Sequence, residues 1–237
     1  MHYFLHPAFD FDDGYLGFWM AKYSPSVADQ SNICYSNSNA VNCNDESLTA
    51  KIIPNANIWR FIDISTAYKV SQIIKNNTDV YGWLPEEVDS HMLTNFEWGA
   101  VAYLSKSDYG AHEEEVWINS YDGRGTGCSA ISVSASSTDI CYTYDSENGP
   151  KASTTHNIYG VYDMSGGVHE FVMANYNNLV GISGFSSIEE VVAINPKFIN
   201  RYLTLEEKLL NEVGMDYDLS VYGDAVYETS INANRYN

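Results

Sequence analysis

The stretch from residue 154 to 171, Thr-Thr-His-Asn-Ile-Tyr-Gly-Val-Tyr-Asp-Met-Ser-Gly-Gly-Val-His-Glu-Phe, constrains this chain more than any other. Asp163 and Glu170 bracket a tight turn built on Ser165, Gly166 and Gly167. Two acids and a run of backbone carbonyls brought close together suit a hard cation such as calcium. The alternative is that both acids hydrogen-bond the turn's own amides, since short acidic side chains commonly close turns that way.

Charge narrows the partners. With 31 acidic and 12 basic residues the formal net charge is −19. Nucleic acid and anionic membrane both require clustered Lys and Arg, so neither is expected as a partner. Aromatic residues reach 14% of the chain, with 19 Tyr. Tyrosine joins a broad apolar face to one polar tip, which suits contact surfaces that stay in water as well as the edge of a core. No apolar run approaches the roughly 20 residues of a membrane helix, so no membrane insertion is expected. Residues Met1 to His6 lack the basic start and long apolar run of a signal peptide.

The four cysteines are Cys34, Cys43, Cys128 and Cys141. Their spacing fits neither a zinc site nor a Cys-x-x-Cys redox pair. Each close pair flanks a polar loop, so Cys34–Cys43 and Cys128–Cys141 are the economical disulfides among three pairings. Such bonds imply an oxidising compartment; the alternative is four free thiols in the cytosol.

Local patterns predict a few elements. Leu16 to Tyr23 reads as a strand after the turn signal Asp12-Asp13-Gly14. Residues 28 to 50 read as a polar excursion pinned by the first cysteine pair. Ile62, Ile64, Ala67, Val70, Ile73 and Ile74 recur at helical spacing, with Asn76-Asn77 as a stop. Thr94-x-x-Glu97 is a capping box that opens a helix with Phe96, Ala100, Val101 and Leu104 on one stripe and Gly110 beyond its end. Residues 116 to 172 read as short strands and long ordered loops. A third helix is expected from Leu205 to Val213, between Thr204-x-x-Glu207 and Gly214. No repeat or long linker interrupts the chain, so one domain over 1–237 is expected.

These pieces together resemble a known family. His6-Pro7-Ala8-Phe9 followed by Gly17-Phe18-Trp19-Met20-Ala21-Lys22-Tyr23, Trp59-Arg60 before a helix, and Thr94 to Leu104 match its opening strand and two helices. Asn157-Ile-Tyr-Gly-Val-Tyr-Asp163-Met-Ser-Gly-Gly-Val-His-Glu170 matches its most recognisable motif, usually Asn-x-Tyr-Gly-Leu-x-Asp-Met-x-Gly-Asn-x-Trp-Glu-Trp. The family is the sulfatase-modifying-factor family, which holds formylglycine-generating enzyme and non-catalytic relatives. The resemblance implies an α+β, C-type-lectin-like fold of the formylglycine-generating-enzyme type, with two main helices, short strands and extensive ordered loops. It also implies a structural calcium held by Asp163, by the carbonyls of Gly166 and Val168, and by Glu170.

The departures from the pattern bear on function. Gly167 stands where the family has Asn, and His169 where it has Trp, which weakens the expected packing around the turn. The Arg-Gly-Gly strand, the closing Gly-Phe-Arg segment and the catalytic cysteine pair of the oxidase members are not found before Asn237. The six His, at 2, 6, 91, 112, 156 and 169, are scattered. Copper or iron is therefore not expected. Glu113-Glu114-Glu115 reads as a solvated loop, and Glu86, Glu87, Asp89 and His91 as a charge cluster at a helix entry. The leading expectation is a non-catalytic binding domain for a protein or glycan ligand, displayed on a phage particle or bacterial surface. The alternatives are a metal-dependent oxidase or formylglycine-type activating enzyme, and a structural virion or appendage subunit whose fold a partner chain completes.

Overall fold

A computed structural model of the chain describes Phe9, residues 16–29, Ser31, Cys34, and residues 43–121, 124–130, 140–176 and 178–202. The third helix expected at Leu205–Val213 lies outside these residues. The contacts gather the chain into two compact units, one of Trp19–Ser90 with Ala102–Glu170 and the other of Met1–Phe18, His91–Val101 and Phe171–Asn237. The class is mixed α+β, built among the described residues from short helices and two small sheets.

In the first unit, β1 (Ser26–Val27) pairs antiparallel with β2 (Ala50–Lys51), in register Ser26↔Lys51 and Val27↔Ala50. Ser26 also bridges Ile58, and Trp59 N–H donates to the Pro25 carbonyl at 2.9 Å. The predicted strand at Leu16–Tyr23 is not formed: Leu16 and Trp19 are fully exposed, and pairing begins only at Ser26. Aromatic content favours a strand only where a neighbour completes the ladder, and among the described residues no ladder forms there, although Tyr23 is buried and the Lys22 carbonyl accepts from Tyr162 N–H at 2.8 Å.

α1 (Ile64–Ile73) starts at Asp63, whose carboxylate accepts from Thr66 N–H at 2.7 Å. That cap satisfies one of the four donors a helix start leaves open. The expected apolar stripe is only partly used. Val70 is buried with Ser65 and Thr66, while Ile73 is exposed. A 3-10 turn, Ile74–Asn76, follows, and then a single turn, α2 (Thr78–Tyr81), which ends at Gly82 in the left-handed region. The helical run thus ends at the predicted Asn76-Asn77, where Asn77 leaves the helical region at φ −93°, ψ 60°.

One core of this unit gathers Val27, Cys34, Cys43, Ala50, Trp59 and Val70, with Leu48, Ile62 and Ile74 packed against it. The Cys34–Cys43 disulfide sits inside it, and Arg60 N–H donates to the Cys34 carbonyl at 2.8 Å. A second core gathers Tyr23, Ala152 and Tyr162 with Ile52, Trp117 and Tyr144. Among the described residues between 116 and 170 the pairing is limited to isolated bridges, such as Asn119↔Gly166 and Ser129↔Tyr142. The Cys128–Cys141 disulfide lies one residue before that last bridge on both strands. The expected cysteine pairing is thus the observed one, and an oxidising environment follows from it.

The second unit holds the start of α3 (Asn95–Leu104), whose residues up to Val101 belong to it and which begins at the predicted capping box. Thr94 N–H donates to Glu97 Oε2 at 2.8 Å, and Glu97 N–H to Thr94 Oγ1 at 3.3 Å. The buried positions are Asn95, Gly99, Ala100 and Val101, whereas Leu104, expected on the stripe, is exposed. β3 (Ala174–Tyr176) runs parallel to β4 (Asn200–Tyr202). Met173 N–H donates to the Leu93 carbonyl at 2.8 Å, and Phe96 N–H to Asn200 Oδ1 at 2.9 Å, so three chain segments are knitted together. α4 (Ile188–Ala193) ends against the Arg201 guanidinium, whose Nη2 donates to the carbonyls of Val191, Val192 and Ile194 at 3.0, 3.2 and 2.9 Å. A cation there satisfies the open carbonyls and opposes the helix dipole.

Each disulfide closes a loop of 9 or 13 residues. Loop-closure entropy for such lengths gives about 2.5–3 kcal/mol per bond. Mass spectrometry of the unreduced protein should find no alkylatable thiol, and reduction should lower the melting temperature by roughly 10 °C or more.

Candidate functional site

Asp163 is 2% exposed and stands at φ +64°, a left-handed conformation that Asp tolerates better than most residues. Its carboxylate is surrounded by donors. Oδ1 accepts from Asn119 Nδ2 at 3.0 Å and from Gly127 N–H at 3.0 Å; Oδ2 accepts from Ser24 N–H at 3.1 Å. Burial pushes the Asp163 carboxyl up, and the bonds from Asn119, Ser24 and Gly127 oppose that rise. These amides belong to distant segments and not to the turn itself, so Asp163 ties three loops together. The sequence offered Asp163 as a cation ligand or, alternatively, as an acceptor from its own turn's amides; its donors are instead the amides of Ser24, Asn119 and Gly127.

Asn119, 1% exposed, is the residue the sequence reading missed. Its Nδ2 donates to the Gly125 carbonyl at 2.8 Å as well as to Asp163, and its Oδ1 accepts from Tyr121 N–H at 3.3 Å. Its own N–H donates to the Ser165 carbonyl at 2.8 Å, and its carbonyl accepts from Gly167 N–H. Every polar group of the residue is satisfied, which a buried amide requires. No local pattern around Trp117-Ile118-Asn119-Ser120 announces this role.

The turn has two glycines in the left-handed region, Gly166 and, at φ +76°, Gly167, and the first is also sterically required. Gly166 has φ +80°, and a Cβ there would lie 2.5 Å from the Asn119 carbonyl oxygen. At Gly167, the nearest side-chain atoms of Asn119 lie 3.7 Å from where a Cβ would stand. An amide is therefore present beside the turn, supplied by Asn119 instead of residue 167. Among the four expected calcium ligands, Asp163 is buried among N–H donors, Gly166 and Glu170 are exposed, and Val168 is partly buried. Among the described residues no group of three or more His, Cys, Asp or Glu comes together.

The segment before the turn is held in a dense lattice. Thr154 N–H donates to the Val161 carbonyl at 2.9 Å, and Val161 N–H returns to Thr154 Oγ1 at 3.1 Å. Ser153 Oγ donates to the Asn157 carbonyl at 2.7 Å, and Tyr159 N–H to Asn157 Oδ1 at 2.9 Å. The Lys22 ammonium donates to the Ile158 carbonyl and lies 5.4, 5.5 and 5.7 Å from the ring centres of Tyr23, Tyr144 and Tyr162. A cation shared among three rings is a favourable contact that also fixes the chain it bonds. At the tip, Ile158 and Tyr159 face solvent, Tyr159 at 85% exposure.

The remaining candidates resolve one by one. His156 Nδ1 lies 3.1 Å from Glu114 Oε2, and Glu115 pairs with Lys106 at 2.7 Å. Two members of the acidic run, read as simply solvated, thus hold neighbouring loops. His169 is exposed. Glu87 accepts from Leu84 N–H at 2.8 Å, and His91 pairs with Glu97 at 2.9 Å. All four cysteines are oxidised in pairs, so no thiol is present as a nucleophile or soft-metal ligand. Burial raises the phenols of Tyr23 and Tyr162, the latter to about 12, so both rings are neutral at physiological pH and serve as packing surfaces.

Comparison with protein-family models, with curated proteins and with solved structures found no match to the chain.

Replacing Asp163 with Ala strands the amides of Gly127, Ser24 and Asn119, each at about 1–3 kcal/mol where buried. Asp163→Ala should lower the melting temperature by roughly 6–12 °C, with Asn119→Ala close behind and the double variant far short of additive, because both remove one network. Differential scanning calorimetry reads all three. Because N–H donors already surround the carboxylate, a chelator should shift the melting temperature by less than about 1 °C, whereas calcium bound at 100 times its dissociation constant contributes about 2.7 kcal/mol.

Proposed function

We propose that this chain is a non-catalytic binding domain of the formylglycine-generating, C-type-lectin-like type, displayed on a phage particle or bacterial surface. The observation that carries this reading is the loop 153–161, which offers Tyr159 to solvent at 85% exposure while the backbone beneath it is fixed by its own hydrogen bonds and by Lys22. A preorganised loop loses little freedom on binding, and tyrosine supplies a large contact area with few torsions to freeze. The ligand in this reading is a protein or glycan on a cell surface, met by Tyr159 and Ile158 and by polar groups around them. The paired cysteines and the buried, hydrogen-bonded Asp163 support a scaffold role for these residues.

Binding to intact bacterial cells and to an array of immobilised cell-surface glycans and proteins tests the reading. Tyr159→Ala should weaken binding by about 30-fold, as expected for a tyrosine hot spot, and should change stability by less than about 0.5 kcal/mol. Tyr109→Ala, a substitution at another exposed tyrosine, is the control. Binding unaffected by Tyr159→Ala, or oxidation of a cysteine-containing peptide by the pure protein, would overturn the proposal.

A further inference from the structure

Glu97 carries more than its capping box requires. Its Oε2 accepts from Thr94 N–H at 2.8 Å and from the Thr94 hydroxyl at 3.0 Å, while its Oε1 lies 2.9 Å from His91 Nε2. The two side chains are 17% and 15% exposed, so their contact is largely sealed from water. The imidazole packs on the Phe198 ring at 5.2 Å between centres, in the 3-10 turn Pro196–Phe198 that leads directly into β4. A two-member cap has thus gained a third member, and that member is the residue type whose charge changes near neutral pH.

The chemistry has a definite sign. A neutral imidazole can donate Nε2–H to a carboxylate, and an imidazolium donates the same bond with an added ion-pair component. Burial alone would raise the Glu97 carboxyl, but the hydrogen bond and charge of His91 and the two bonds from Thr94 hold it below its usual value. Glu97 is therefore ionised throughout the range in which a histidine titrates. Among the described residues, the other charged groups on the segments around the pair are Lys197, over the Phe198 ring at 5.7 Å, Arg201, whose Nη2 is directed at the α4 carbonyls, and Asp89, two residues before His91. A histidine that gains a carboxylate partner on folding adds stability that is fully present at acid pH and is lost as pH rises past its folded-state value.

We infer that His91 makes the start of α3 a proton-sensitive clamp, which fastens residues 91–97 to the turn before β4 more firmly in mildly acid than in mildly alkaline medium. Opening of this clamp would expose the segments that β3 and β4 share with Leu93 and Phe96.

Amide hydrogen exchange of the full chain at about pH 5.5 and about pH 8, corrected for intrinsic exchange, tests the inference at the two ends of the histidine range. Amides of Ala174–Tyr176 and Asn200–Tyr202 should show an opening equilibrium about fivefold smaller at the acid end, the ratio expected between a charged and a neutral hydrogen bond. His91→Gln keeps a donor without the titration and should abolish the pH dependence while leaving the alkaline protection unchanged. A dependence that persists in His91→Gln would overturn the inference, as would equal protection at both pH values in the wild type. A readout free of substitution is the ring-proton titration of His91 in the wild type, which must share its midpoint with the change in protection. Different midpoints would also overturn it.

Discussion

The buried carboxylate of Asp163 and the amide of Asn119 are the interaction on which the first unit depends. Neither belongs to a strand or helix, and the segments they join, around residues 24, 119, 127 and 163, have almost no ladder between them. In a regular sheet the backbone satisfies itself; in a loop-built domain the buried amides need side-chain partners. Asp163 accepts from Ser24, Asn119 and Gly127, and Asn119 bonds Tyr121, Gly125, Ser165 and Gly167 as well, so two residues join the segments around 24, 119–127 and 163–167. The desolvation of that carboxylate is offset because N–H dipoles converge on it from several sides.

Around this anchor the tyrosines divide their work by burial. Tyr23 and Tyr162 are interior rings, in contact with each other at 5.3 Å and with Tyr144 at 5.8 and 6.4 Å. Lys22 sits against all three and bonds the Ile158 carbonyl, so the aromatic core and the exposed tip of the next loop are mechanically linked. Gly127 marks how closely the pieces approach. At φ +69° its amide reaches Asp163, and a Cβ there would lie 2.9 Å from the Tyr23 ring. A composition rich in tyrosine is thus used both for packing and for display, and position decides which.

Sequence signals were legible where the physics is local. The Thr94–Glu97 box, the helix after Asp63 and the two disulfides all rest on residues within 13 positions of one another, and each is formed. Ser187-x-x-Glu190 is the same kind of signal and was overlooked; Ser187 caps α4, and Glu190 reaches back to Ser186 N–H at 2.8 Å. The apolar stripes were less reliable, because periodicity marks a face without saying what lies opposite it. Ile73 and Leu104 obey the spacing and still face solvent. The strand expected at Leu16–Tyr23 failed for the same reason, since a strand is defined by its neighbour.

The sequence by itself determined the capping box that opens α3, the helix that follows Asp63 and the cysteine pairing, because each rests on residues close to one another along the chain. Only the tertiary structure decided that Asn119 would bond Asp163, that Lys22 would be enclosed by three rings, and that Tyr159 would stand out while Tyr162 lies buried three residues on. Those outcomes depend on contacts across 44 and 136 positions of chain, whose partners are chosen by packing and by the need to satisfy buried amides, and no local pattern encodes that choice.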